Sequence, residues 1–280
     1  SVSVDGSTLN VSLKKVSPVE VAATGTVTTK FVDDGGNTIT PATNNDVYLV
    51  SEESTPTVIG DITGDNVRIK TVGDLTSATN TSVSANKADL ILESAEGNVN
   101  VNIGKIAGVT SRAGSNIVLT GTGSDIPVDM MYARGSVTIN SGNADIVGLE
   151  GDNDVNIKAA NVQLTGNHVG TGTQVLGLQL TSTATQSNVT AQNGIDLYLA
   201  GPAANFNTLT TTAGDIGVMT AKGIALTADT VSTSGDIDLS AGSIKVGTVT
   251  ANAATLTAET DLTVTGLLHT VSDSVLTATD

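Results

Sequence analysis

Apolar residues in this chain fall in short alternating triplets. Ile117-Val118-Leu119, Val137-Thr138-Ile139, Val155-Asn156-Ile157, Leu178-Gln179-Leu180, Ile195-Asp196-Leu197, Ile216-Gly217-Val218, Ile237-Asp238-Leu239 and Leu256-Thr257-Ala258 follow one another at a near-constant step. The mean step is about twenty, a period that points to a repeat architecture. A second triplet trails the first by six to nine residues, as at Val162-Gln163-Leu164, Ile224-Ala225-Leu226, Ile244-Lys245-Val246 and Leu262-Thr263-Val264. A weaker third signal follows at Val231 and Val249-Thr250-Ala251. Alternation over three to five residues, broken by Gly, Asn, Asp or Ser, predicts short strands with tight corners. No window of eleven or more residues carries a 3.6-residue period, so helix is expected to be negligible.

Two or three strands per twenty residues is one turn of a coil. The predicted fold is all-β, a parallel β-solenoid (β-helix) whose strands each pair with the coil above and the coil below. Residues 89–280 hold roughly nine to ten such coils. Val, Ile, Leu and Ala alternate inward while Thr, Asn, Asp and Ser face out, so a thin core suffices. An antiparallel β-sandwich also repeats strands and turns, but it has no reason to keep near-constant spacing over seven steps.

The twenty-residue beat is not visible in the first sixty residues. Pro18, Pro41 and Pro56 lie there, with longer strand candidates at 9–16, 27–32 and 47–50 and a hairpin turn at Asp33-Asp34-Gly35-Gly36. This predicts an N-terminal β segment at 1–60, acting as a cap or subunit-contact region, and solenoid repeats at 61–280. A degenerate first set of coils is the alternative. At the other end, Leu267 to Asp280 contains no Pro, Lys or Arg, residues that commonly protect an edge from pairing. Ser274-Val275-Leu276-Thr277-Ala278 therefore reads as a bare strand and a subunit contact. Strand addition by the N-terminal segment of another copy gives a head-to-tail homopolymer, because a heterologous contact that does not close makes a filament.

Composition narrows the partners. The chain has 12 Lys and Arg against 28 Asp and Glu, a net charge of −16, and only 2% aromatic residues. Nucleic acid is excluded as an expected partner, since it needs a basic field or stacking platforms. Cysteine is absent, which removes disulfides, thiolate metal sites and Cys nucleophiles. The apolar runs are a few residues long, so no membrane insertion is expected. The chain starts at Ser1 without a charged-then-apolar leader, which points to removal of a signal peptide, with a fragment of a longer chain as the alternative.

The run Gly-Asp-Ile-Asp-Leu-Ser-Ala-Gly from Gly235 to Gly242, with its partner at Gly214 to Val218, resembles the repeat regions of filamentous-haemagglutinin-like secreted adhesins. The likeness spans roughly residues 115–265. It implies a parallel β-helix at a bacterial surface; the Asn-Pro-rich motifs of the secretion domain of such exoproteins are not found. The acidic, Cys-free, Thr/Ala/Gly/Asn-rich composition also resembles that of surface-layer and sheath subunits. Both resemblances imply a secreted protein, extracellular or on the surface of a prokaryotic cell.

Individual residues supply the candidate chemistry. Asp215 and Asp236, and Asp196 and Asp238, are spaced to stack as carboxylate pairs, which a carbohydrate-active β-helix enzyme needs. Corner aspartates satisfying turn backbone are the simpler expectation, and sugar-stacking aromatics are scarce. His168 and His269 lie too far apart to share a site and are expected in exposed loops. Arg112 and Arg134, about one coil apart, are spaced to stack as an anion site, with ordinary surface arginines as the default. For calcium, Glu150, Asp152 and Asp154 alternate as ligands on one strand face must, and Asp33-Asp34 and Asp61/Asp65 sit in Gly-rich turns. No cofactor is required and calcium is the one metal considered. The expected function is an extracellular structural subunit rather than an enzyme. An adhesin segment binding host or matrix ligands, surface glycans among them, is the first alternative, and a carbohydrate-active enzyme the second.

Overall fold

The computed structural model describes residues 2–4, 9–13, 19–23, 26–31, 47–51, 54–87, 89–149, 154–182, 186–202 and 204–279, with side chains from residue 47 onward. The hairpin expected at Asp33 to Gly36 lies outside the described residues, as do Pro18, Pro41, Glu150 and Asp152. Every strand pairing within the solenoid is parallel, and the chain winds through about 11 turns without helix among the described residues. No helix there is long and apolar enough to cross a membrane.

Three faces make up the coils described from residue 47 onward. The first face stacks Val47–Ser51, Val67–Thr71, Leu90–Ser94 and Val109–Ala113 in register, with Leu49, Ile69, Leu92 and Ser111 in one inward column. The second face carries the longest apolar column: Val101, Leu119, Ile139, Leu164, Val189, Leu209, Val231, Val249 and Leu268 lie one above the next. Near the C-terminal end the third face stacks Phe206 on Ala228, Val246 and Val264. In all three faces the ladder bonds run along the rod axis, since each strand bonds to the coils before and after it.

The inward residues are almost uniformly aliphatic and buried, in one continuous core from Val47 to Ala258. This is why β-branched alternation suffices without large side chains. At roughly 4.8 Å between rungs, each inward methyl group packs against its equivalents above and below.

The coil count exceeds the nine to ten expected because the beat starts earlier than residue 89. Val47–Ser51 pairs with Val67–Thr71 on one side and with Val19–Ala23 on the other. Val2–Val4 and Leu9–Leu13 in turn pair with Val19–Ala23 and Thr26–Phe31. Parallel pairing thus runs across residue 60.

The eight triplets do not form one column. Ile117 and Val137 pair on the second face, whereas Ile195, Ile216 and Ile237 pair in a separate column. Val155-Asn156 precedes the strand Ile157–Ala159, and Asn156 is buried rather than turned outward. The reason is a split rung. Ile146–Gly148 and Ile157–Ala159 both pair with the single strand Ile126–Ala133, and the described residues between them, Leu149 and 154–156, lie outside the ladder as the ends of an excursion. A second, shorter excursion follows between Val169 and Leu176, closed by a bridge between Thr171 and Gln174. Asn156 staples the first one: its Nδ2 donates to the carbonyls of Val128 (3.0 Å) and Asp129 (3.3 Å), and its Oδ1 accepts from the Gly177 amide at 2.9 Å.

Candidate functional site

Outward columns on the first face carry the chain's most concentrated chemistry. Register places Lys70, Glu93, Arg112, Tyr132 and Lys158 in a single outward column, because each is the central or penultimate outward residue of its strand. Arg68 lies one outward position before Lys70 and reaches diagonally across a coil, its Nη2 standing 3.2 Å from Glu93 Oε2. Arg134 follows two residues after Tyr132 at the corner. All three arginines of the chain, Arg68, Arg112 and Arg134, thus gather on neighbouring coils of an otherwise acidic protein.

These side chains surround an open depression of about 420 Å³ lined by Lys70, Glu93, Arg112, Tyr132 and Arg134 together with small corner residues. The Arg112 guanidinium stands 5.9 Å from the centroid of the Tyr132 ring, within cation–π range. Tyr132 is 36% exposed, so part of its ring remains open to a ligand. Among the described residues no carboxylate pairs with Lys70, Arg112 or Arg134. Sequence spacing links Arg112 to Arg134 but misses Lys70, Glu93 and Tyr132, whose unequal steps converge only once the register is known.

A second polar feature runs along a different corner. Asp125 Oδ1 accepts the Asp145 amide at 2.9 Å, Asp145 Oδ1 accepts the His168 amide at 3.0 Å and Asn167 Nδ2 at 2.8 Å, and Asn193 Nδ2 donates to Asn167 Oδ1 at 2.6 Å. Further along, Asp215 Oδ1 accepts the Asp236 amide at 2.8 Å, and Asp236 Oδ1 accepts Asn252 Nδ2 at 2.8 Å and the Ala253 amide at 3.1 Å. The Asp215/Asp236 pair is therefore engaged with corner backbone. Asp196 and Asp238 share an outward column but are separated by Gly217.

His168 departs from expectation. It lies in the strand Asn161–Val169, half-buried, with Nδ1 2.9 Å from Asp145 Oδ1. His269 is exposed on the strand Leu268–Thr270, in the last coil. Burial pushes the Asp145 carboxyl upward, but the hydrogen bonds from His168 and Asn167 outweigh it and hold its pKa below the usual carboxylate value. Asp196 goes the other way: burial raises it first, the Asp215 charge adds to the rise, and His168 offsets part of it.

A carboxyl lowered on folding adds stability above its unfolded pKa, which is lost as pH falls through the folded value. A raised one costs stability at neutral pH, and acidification relieves that cost. Asp196→Asn is therefore expected to raise the Tm at pH 7, with the gain shrinking as pH falls to about 4 and below. Thermal melts by circular dichroism of both proteins at pH 7 and pH 3.5 read this directly. An equal or larger gain at pH 3.5 would contradict the assignment.

For calcium, Asp154 is exposed in an irregular stretch instead of sharing a strand face, because it belongs to the first excursion. Asp61 Oδ1 accepts the Ser82 amide at 2.9 Å, and Asp65 Oδ2 stands 3.3 Å from Lys87 Nζ. Asp33 and Asp34, like Glu150 and Asp152, lie outside the described residues. Among the described residues no three His, Asp or Glu side chains are grouped to hold a metal ion.

The last rung, Ser274–Ala278, pairs with Ala254–Ala258 alone among the described residues. Leu276 continues the inward column of Leu239 and Leu256, yet it is 45% exposed where Leu256 is 0%. Val275 and Thr277 face outward on the same strand, with Ser274 and Ala278 in inward register beside Leu276. Leu262, Val264 and Leu268 of the final coil are likewise only partly covered. No protein-family model matches the chain, and neither a curated protein nor a solved structure does.

Proposed function

We propose that this β-helical repeat protein is an extracellular structural subunit of a prokaryotic cell surface, stacking head to tail into a filament, sheath or layer. The observation that carries this reading is the continuous parallel solenoid, whose ladder bonds run along the rod axis and whose inward apolar column is still carried at the last described rung by Leu276 on Leu256. An apolar cross-section bordered by unpaired strand edges is satisfied by another coil. In this reading the first strands of a second copy supply it by parallel strand addition. The acidic, Cys-free composition and the resemblance to filamentous-haemagglutinin-like repeats support a place outside the cell. With a net charge of −16, copies repel one another at low salt, and divalent calcium is the counter-ion expected to ease their approach. The reading assigns no catalytic step.

Negative-stain electron microscopy over a concentration series, with and without millimolar calcium, tests it. Rods one coil wide that lengthen with concentration are expected, and Leu276→Lys, which places a charge at the last inward position above Leu256, is expected to leave single short rods with an unchanged circular dichroism spectrum. Single rods from the parent chain under every condition would overturn the reading.

A further inference from the structure

We propose that the first-face depression binds the carboxylate-bearing rings of an acidic polysaccharide, a polyuronate. Three of its lining residues are cations, Lys70, Arg112 and Arg134, and none has a carboxylate partner among the described residues. Cations gathered within a few coils repel one another, and a bound anion relieves that repulsion while forming charge-assisted hydrogen bonds. Arginine's planar fork matches a carboxylate in a way that scattered lysines do not. Glu93, with one oxygen held by Arg68 and its side chain 25% exposed, supplies the acceptor that sugar hydroxyls need. Tyr132, next to Arg112 in the column, adds a flat apolar surface suited to the C–H face of a pyranose ring. At about 420 Å³ the depression falls in the size range of small-ligand sites and is open to solvent.

Donor, acceptor and platform together describe a carboxylated sugar better than a nucleic acid. DNA carries a charge every ~1.7 Å and needs an extended basic field, whereas here a local cationic island sits in a field of −16 overall. A polyuronate bears a single charge per ring, which one island can neutralise. The inference does not depend on head-to-tail stacking.

Isothermal titration of an oligogalacturonate into the Leu276→Lys chain, which lacks the proposed end contact, keeps the two ideas separable. Binding is expected at low salt, with loss on methyl esterification of the oligomer. Arg112→Ala and Arg134→Ala are each expected to weaken it roughly 10-fold or more, while Lys222→Ala, on a different part of the rod, leaves it unchanged. Tyr132→Ala is expected to weaken binding without changing its salt dependence. Both arginines are exposed, so unchanged circular dichroism accompanies these losses. No binding, equal binding of the esterified oligomer, indifference to both arginine substitutions, or tighter binding of a sulfated heparin oligosaccharide or single-stranded oligonucleotide would overturn the proposal.

Discussion

Phe206→Ala is expected to remove about 3–5 kcal/mol of stability. Phe206 is 0% exposed and the largest fully buried side chain of the core. Its ring fits because its rung neighbours are small: Ser187 pairs with it on one side and Ala228 on the other. Ser187 is itself committed, its Oγ accepting the Val162 amide at 3.2 Å. Neither neighbour can expand into the space, so truncation leaves most of a ring-sized cavity with no atoms to fill it. Because each coil touches only its neighbours, the damage should also be local. Hydrogen exchange is expected to accelerate around 187–191, 204–211 and 225–232 while the coil at 90–121 keeps its protection. Uniform acceleration along the rod, or a Tm within a degree or two of the parent, would contradict this account.

Gly214→Ala is expected to be nearly as damaging, and Gly223→Ala far milder. Both glycines have positive φ, +77° at Gly214 and +74° at Gly223, which costs an L-residue roughly 1–2 kcal/mol. They differ in surroundings. A Cβ at Gly214 would lie 1.6 Å from the Asn193 carbonyl oxygen, whereas one at Gly223 meets nothing within 4 Å. Gly214 also anchors the corner, its carbonyl accepting from the hydroxyls of Thr233 and Thr211. To admit a methyl group the corner must move and loosen those bonds. A side-by-side urea titration measures the contrast, and equal losses would mean that backbone conformation alone accounts for both.

The same glycine explains what was legible in the sequence. Where coils repeat without interruption, as at Ile195, Ile216 and Ile237, the step is constant, and the Gly-Asp corner at Gly214 returns with it at Gly235. Parallel pairing and inward alternation could be read there from composition and spacing alone. Around residues 146–176 the reading fails, because an excursion changes the spacing between rungs without changing which residues pair. Asn156 shows the failure most plainly: alternation turns it outward, but the excursion folds it beneath two carbonyls that need a donor. The cationic depression was half legible. Arg112 and Arg134 are one coil apart by count, but Lys70 and Glu93 join them through unequal steps that no single period predicts. The strand at Ser274–Ala278 was visible from its residues; that Leu276 continues the inward column of Leu256 required the register.

The axial direction of the ladder bonds has a mechanical consequence. Tension applied between the two ends loads the bonds of all three faces of a rung together, so no single bond carries the force and parting any rung requires most of its set to break at once. Twisting or shearing one face meets only that face's share. Such a body should resist stretching far better than it resists lateral peeling, which suits a member held in line with the load.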